Sequence, residues 1–481
     1  MRKLKMGKFQ RVVAVGLALA MVTGSLAACG PDGGETKEPD TGSSASKPKE
    51  DSSSGGKKGT INVYAFTDEV PKMIDKFVET HPDFGYDINP TIIATTDGAY
   101  QPALDQALAA GGADAPDIYC AEAAFVLKYT QGEAASYAAS YADLGIDIDS
   151  KLSESEIAQY SVDIGTNPDG NVVGLGYQAT GGCFIYRRSI AKEAFGTDDP
   201  AEVSKAIGGG SGSWDKFFEA AETLKGKGYG IISGDGDLWH AVENSSDKGW
   251  ISDGKLYIDP KREEFFDLSK KLKDNGYHND TQDWQDAWFA DMKGEGDKGV
   301  LGFFGPAWLI NYTMAPNCGG TKAGEGTYGD WAVCDSPVGF FWGGTWLLAN
   351  KDSDKKEAVG QIIDWITLDS SEDGLQYAWA NGTVDWDNDP STPTAKDAVG
   401  SGKVMSTSDG SLEFLGGQNM FDYFVPANTY ANGKNLTQYD ETINQYWRDA
   451  VRTYTSGEKS KEDAIEAFKQ NVRDNLDVEV E

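Results

Sequence analysis

Residues 59–78 read Gly-Thr-Ile-Asn-Val-Tyr-Ala-Phe-Thr-Asp-Glu-Val-Pro-Lys-Met-Ile-Asp-Lys-Phe-Val. Ile61, Val63 and Ala65 alternate with Asn62, Tyr64 and Phe66, the period of two that predicts a strand. Pro71 suits a first helical turn, and Val70, Met73, Ile74, Phe77 and Val78 then fall on one helical face. Working outward, Asp87–Ala94 reads as a second strand, and Leu104 and Leu108 sit four apart on a helix closed by Gly111-Gly112. Pro116-Asp117-Ile118-Tyr119-Cys120 opens a third strand. This β-α-β-α-β rhythm predicts an α/β fold with a mostly parallel sheet and helices on both faces. In such sheets ligands lie at the carboxyl ends of the strands.

The alternation continues. Gly174–Tyr177, Cys183–Tyr186, Gly299–Phe304 and Asp330–Cys334 are strand-like. Ser213 caps a helix bearing Phe217, Ala221 and Leu224, and Asp259-Pro260 opens another that ends at Asn275-Gly276. Trp284 and Trp288 share a helical spacing of four, which suits packing better than ligand contact. Helical faces return at Val359, Ile362, Ile363 and Ile366, at Ile443–Tyr454, and after the capping box Ser460/Asp463. No repeat of fixed period is present.

The chain's 481 residues carry 43 Lys+Arg against 76 Asp+Glu, a formal charge of −33, with 39% hydrophobic residues and 13 Trp. That is enough apolar material for a large core, which excludes global disorder. The acidic balance excludes a phosphate-binding nucleic-acid role and fits a neutral or cationic ligand. Three His leave little room for His-based zinc or triad chemistry.

Residues 1–28 read as an address. Arg2, Lys3, Lys5, Lys8 and Arg11 precede an apolar run from Val12 to Val22. Eleven residues reach only about 16 Å as a helix, too short for a bilayer. A secretory signal is therefore expected. Residues 30–58 are Gly, Ser, Thr, Pro, Asp, Glu and Lys with Ala45 the one apolar side chain, a tether of roughly 30 Å mean span. Cys120, Cys183, Cys318 and Cys334 are compatible with two disulfides or with buried thiols, and spacing does not choose between these.

The search for reactive motifs is negative for H-E-x-x-H, G-x-S-x-G and the P-loop. Gly294–Gly299 and Gly324–Gly329 match G-x-G-x-x-G, but neither follows a strand and opens a helix. Asp385-Trp-Asp387-Asn-Asp389 starts like a calcium loop, then places Pro390 and Lys396 where Gly and Glu are needed. No metal and no cofactor are expected.

More informative are aromatics beside acids and amides in predicted loops: Phe66-Thr67-Asp68-Glu69, Tyr177-Gln178, Asp235-Gly236-Asp237-Leu238-Trp239, Phe303–Trp308 and Phe341–Trp346. A sugar presents flat C–H faces to aromatic rings and hydroxyls that both donate and accept, so carboxylates and amides bind them. The candidate contacts are Phe66, Asp68, Glu69, Glu122, Tyr177, Gln178, Asp237, Trp239, Trp308, Trp342 and Trp346. Each has a plainer reading as well: helix-end acid for Asp68 and Glu69, turn residue for Asp237, core packing for the Trp and Tyr side chains.

In order along the chain, Leu26-Ala-Ala-Cys29-Gly30, the polar tether, Thr67-Asp-Glu69, Pro-Asp-Ile-Tyr119, the stretch Gly176–Arg187, Ser213–Leu224, Gly305-Pro-Ala-Trp308, Phe341–Trp346 and Ser456–Phe468 are similar to bacterial extracellular solute-binding proteins of family 1. These are receptors of carbohydrate ABC transporters, with maltose-binding protein the best-known relative. The resemblance implies lipidation of Cys29 as the first mature residue, leaving that lipid as the membrane contact. It also implies a two-lobed body closing on a sugar, with lobes at 59–180 plus 343–385 and at 181–342 plus 386–481. Hinges at Tyr177–Gly182 and Phe341–Thr345, a contact at Gln418, a monomeric state and an ABC permease partner are implied in the same way. A secreted glycoside hydrolase or lyase with a carboxylate pair is the alternative.

Overall fold

The computed structural model describes residues 57–95, 98–386 and 395–481. The expected signal segment, Cys29, most of the tether and Asp387–Asp389 of the calcium-like run lie outside the described residues. Among those described, no helix is long and apolar enough to cross a membrane.

The opening stretch folds as its periodicity dictates. Strand β1 (Gly59–Ala65) buries Ile61, Val63 and Ala65, and helix α1 (Glu69–Thr80) buries Val70, Pro71, Met73, Ile74 and Phe77. β1 lies between two parallel partners, β2 (Tyr86–Ile92) and β3 (Ile118–Glu122). Asp117 of the Pro-Asp-Ile-Tyr motif is structural: it is buried, accepts the Asn62 N–H at 2.8 Å and pairs with Lys355 Nζ at 3.0 Å. It thereby anchors β3 to β1 and to the start of a helix at Lys356–Thr367.

Two short strands follow in the sequence, β4 (Gly174–Gly176) and β5 (Cys183–Arg187), but they belong to different sheets. β5 is the centre of a second sheet, between β6 (Gly302–Gly305) and β7 (Trp331–Cys334). The chain then returns: β8 (Thr345–Ala349) inserts into the first sheet antiparallel to both β3 and β4. The expectation of mostly parallel pairing needs correction in the second sheet, where β5 runs antiparallel to both neighbours. The reason is connectivity: β5 enters by a direct crossing from the first sheet, not through a helical crossover. Parallel pairing survives at that sheet's margin, in the bridges Gly230–Val300 and Ile232–His278.

The two crossings lie side by side. Gly182 N–H donates to Phe340 O at 2.9 Å and Trp342 N–H to Thr180 O at 3.1 Å. Asn428 Oδ1, from a helix at Phe421–Tyr430, accepts the Gly181 N–H at 2.9 Å, bringing a third segment against them. Residues around Ser401 pack with the first sheet's helices, Ser401 Oγ donating to Ser155 O at 2.6 Å. We therefore propose that the third passage lies after Thr407, and not at 386 as the resemblance implied. The four cysteines are buried free thiols.

Gly182 has no room for a side chain: an added Cβ would lie 2.0 Å from the Phe340 ring. Gly182→Ala is expected to cost about 1–3 kcal/mol, read as a lower urea midpoint at unchanged slope. An unshifted midpoint would show that the crossings tolerate separation.

Candidate functional site

A cleft of about 740 Å³ opens where the carboxyl ends of the first sheet meet the second sheet's elements. From the first sheet come Phe66 and Thr67 after β1, Glu69 in the first turn of α1, Glu122 at the end of β3, Tyr177 and Gln178 after β4, and Thr345 at the start of β8. The register places Glu122 opposite Thr345, and Trp346 opposite Gly176, so these groups share one sheet end. Tyr177 donates its hydroxyl to the Glu69 carboxylate and stacks on Trp379, 5.8 Å between centroids. Trp379 in turn meets Trp386 edge-on.

The facing wall is a run of indoles. Trp284 and Trp308 line the cleft, parallel within 7° at 6.3 Å, with Trp288 behind Trp284 at 5.4 Å and Trp342 beside Trp308 at 4.8 Å. Trp308 Nε1 donates to Trp342 O at 2.9 Å, fixing that ring across the second crossing. Gly343 and Gly344, both at positive φ, let the crossing turn beneath it, with the Gly343 Cβ position 3.4 Å from the Trp308 ring. The Trp342 ring stacks on His240 at 3.5 Å, and His240 Nε2 and Arg448 reach the buried Asp283 at 3.2 and 3.3 Å. Trp342 also borders a second cavity of about 280 Å³, which shares Glu122 and Gly343 with the main cleft.

Six of the residues chosen from sequence therefore line the main cleft: Phe66, Glu69, Glu122, Tyr177, Gln178 and Trp308. Trp342 lines the smaller cavity. The others lie elsewhere. Asp68 is exposed and pairs with Lys72 at 2.9 Å. Asp235–Trp239 is not a loop but opens a helix, Asp235–Glu243. Asp237 is buried there, accepting the N–H groups of Ser233 (3.1 Å) and Gly234 (3.0 Å) and Trp288 Nε1–H (3.0 Å). It supports the indole wall and does not line the cleft. Trp239, on the same helix, is 1% exposed and packs on Phe265 at 4.8 Å, with only an edge toward the smaller cavity. Trp346 alternates with Thr345, so it points away from the cleft, 1% exposed, with Nε1 donating to Ser161 O. Gln418 uses both amide atoms on Val333, accepting its N–H and donating to its C=O at 2.8 Å each, as a strand would.

Sequence reasoning missed Trp284, Tyr312, Trp379, Trp386, Asn311 and Asp397. Trp284 is not on the helix with Trp288, which runs Asp286–Lys293; it precedes it at φ +66°, an unusual backbone for a bulky side chain, and is 37% exposed. Tyr312 follows Trp308 by four, the spacing of neighbours on one helical face, and is 68% exposed on a π-helical stretch, Leu309–Met314. Trp386 sat in view between Asp385 and Asp387, in a run weighed only as a calcium loop.

Three of the lining carboxyls are shifted upward. Burial pushes Glu122 up to about 7, against the N–H groups of Ala124 and Ala123 that favour its ionised form. Burial likewise raises Asp397 to about 7, with the charge of Glu69 adding to it. Glu69 is raised by burial despite the Tyr177 hydrogen bond.

Residues 65–372 match the family described as bacterial extracellular solute-binding protein. The chain belongs to that family. No curated protein matches it in sequence. Solved structures share its two-lobed α/β fold. The galacto-N-biose/lacto-N-biose I-binding protein of an ABC transporter from Bifidobacterium longum, in complex with lacto-N-biose, aligns with a TM-score of 0.63 at 16% identity, over 89% of this chain and 100% of that one. An ABC substrate-binding protein from Listeria monocytogenes in complex with cycloalternan gives 0.60 at 16%, over 87% and 98%. The sugar-binding protein MalE from Xanthomonas citri gives 0.62 at 14%, over 86% and 96%.

Two predictions follow from this placement. Trp239→Ala in this solute-binding protein is expected to cost about 3–5 kcal/mol of stability, measured by chemical denaturation; a loss under about 1 kcal/mol would return the residue to the surface of the cleft. Glu122 and Asp397 have folded pKa values above those of an unfolded carboxyl. The folded state thus holds more protons between about pH 4 and 7, and stability falls as pH rises through that window. The ligand-free protein should melt lower at pH 7.5 than at 5.5, and Glu122→Gln should shrink the difference. An unchanged difference would show that Glu122 titrates as an exposed acid.

Proposed function

We propose that this chain is the carbohydrate receptor of an ABC importer, with a lipid on Cys29 holding it at the outer face of the membrane. Two lobes, 59–180 with 343 onward to about 407 and the remainder, close as a monomer about an oligosaccharide and hand it intact to a permease. The observation that carries this reading is the cleft's pairing of an indole wall with carboxyls and amides on the facing sheet end. Rings stack on C–H faces at about 0.5–1.5 kcal/mol each, by analogy with aromatic pairs. Glu122, Glu69, Gln178 and Asn311 provide for hydroxyls. The sugar ligands of the fold's neighbours support the same class. Closure requires a ligand that binds the closed form better than the open one.

The enzyme reading has one observation in its favour, the raised carboxyls Glu122 and Asp397, since a general acid needs a proton near neutrality. Calorimetry with an oligosaccharide panel, followed by chromatography of the same mixtures, separates the two. Saturable heat, unaltered sugar and a more compact scattering profile are expected; released products would establish the enzyme. Trp308→Ala should weaken binding at least several-fold with little loss of stability, and equal affinity would remove the indole wall from the site.

A further inference from the structure

The lining of the main cleft is unbalanced in charge. Glu69, Glu122 and Asp397 face it, and no Lys, Arg or His stands among its described lining residues. The stretches 96–97 and 387–394, which adjoin the lining in sequence, contain no Lys or Arg either. Lys396 pairs with Asp409 at 3.0 Å and Arg448 with Asp283 at 3.3 Å, while Lys72, paired with Asp68 at 2.9 Å, also favours the ionised form of Glu69 from outside the lining. Burial raises Glu69, Glu122 and Asp397, so an uncharged sugar gains little from their charge, whereas a cationic ligand favours their ionised form and is attracted by it. The same cleft is rich in rings, among them Tyr177, Trp284, Trp308, Tyr312 and Trp379. Carboxylates and aromatic faces together are the surroundings that a protonated amine prefers.

We propose that the ligand is an amino-sugar oligosaccharide, whose protonated amine is held between Glu69 and Asp397 beside the Tyr177 and Trp379 rings. This rests on the carbohydrate reading above and narrows its substrate class. Glu69 and Asp397 come from distant parts of the chain and both line the cleft, where the Glu69 charge acts on Asp397; Asp397 is buried, with Ala398 N–H donating to Oδ1 at 2.7 Å. The groups facing this pair are Tyr177 on Glu69, the Asp68–Lys72 pair on its own helix, and Asn311 beside Asp397. Glu122 faces Glu441 from the second sheet's side, which adds to the negative field. An arriving ammonium ionises these acids and releases their protons, so affinity rises with pH from about 5 to 7.5 and falls once the amine itself loses its proton.

Calorimetry at several pH values, in buffers of differing ionisation heat, compares glucosamine and galactosamine oligomers, their N-acetylated forms, the unsubstituted parent oligosaccharides, and spermidine as an amine without a sugar. At pH 7 the free-amine oligomers should bind about tenfold or more tighter than both neutral series, with proton release on binding. Glu69→Gln and Asp397→Asn, each checked for fold by circular dichroism, should reduce that ratio. Neutral oligosaccharides bound as tightly as the amines would overturn the inference while leaving the carbohydrate reading intact. Binding of spermidine alone, or of none of these probes, would overturn both. A ratio unchanged in the two variants would overturn the placement of the amine.

Discussion

The short antiparallel contact between the two crossing segments, Thr180–Gly182 against Phe340–Trp342, is what the rest of the architecture depends on. It joins the two sheets through a few backbone hydrogen bonds between adjacent crossings. Its tightness comes from missing side chains: Gly182 lies against the Phe340 ring, and Gly181 against Asn428 of the third segment.

The indole wall grows directly from that junction. Trp342 is part of the second crossing, Trp308 bonds to its carbonyl, and Trp284 lies parallel to Trp308. Behind them, buried polar groups hold the rings: Asp237 accepts from Trp288 while capping its own helix, and His240, anchored on Asp283, backs Trp342. Asp237, a ligand candidate in the sequence reading, thus serves the indoles instead. A ring held by packing on one side and a hydrogen bond on the other loses little freedom on binding, so more of its stacking energy goes to affinity.

On the opposite side the first sheet ends in acids that the fold keeps partly dehydrated. Glu122 and Asp397 titrate near neutrality because burial outweighs the backbone N–H groups offered to them. A site in that condition is costly when empty and ionised, and gains from any ligand that supplies a donor or a positive charge. The chain's family is that of bacterial extracellular solute-binding proteins, and its neighbours share the two-lobed fold.

The local periodicities carried the α/β class, β1 with its helix, and the loop residues Phe66, Glu69, Glu122, Tyr177 and Gln178, because in a sheet of this kind the strand ends dictate where ligands meet the chain. The family resemblance carried the two-lobed fold. Contacts between distant segments decided the remainder. Pairing of β8 between β3 and β4 turned Thr345 inward and Trp346 outward, a distinction of one residue that composition cannot make. Asp235–Trp239 opens a helix whose entry Asp237 fixes by accepting the N–H groups of Ser233 and Gly234 just before it, and Trp239 on that helix is drawn into the core. Trp284, Trp386 and Asp397 reached the cleft only when chain hundreds of residues from β1 folded back over its end. Sequence fixes what a segment prefers over a few residues; which side chains share one pocket is set by long-range packing, and that information exists only in three dimensions.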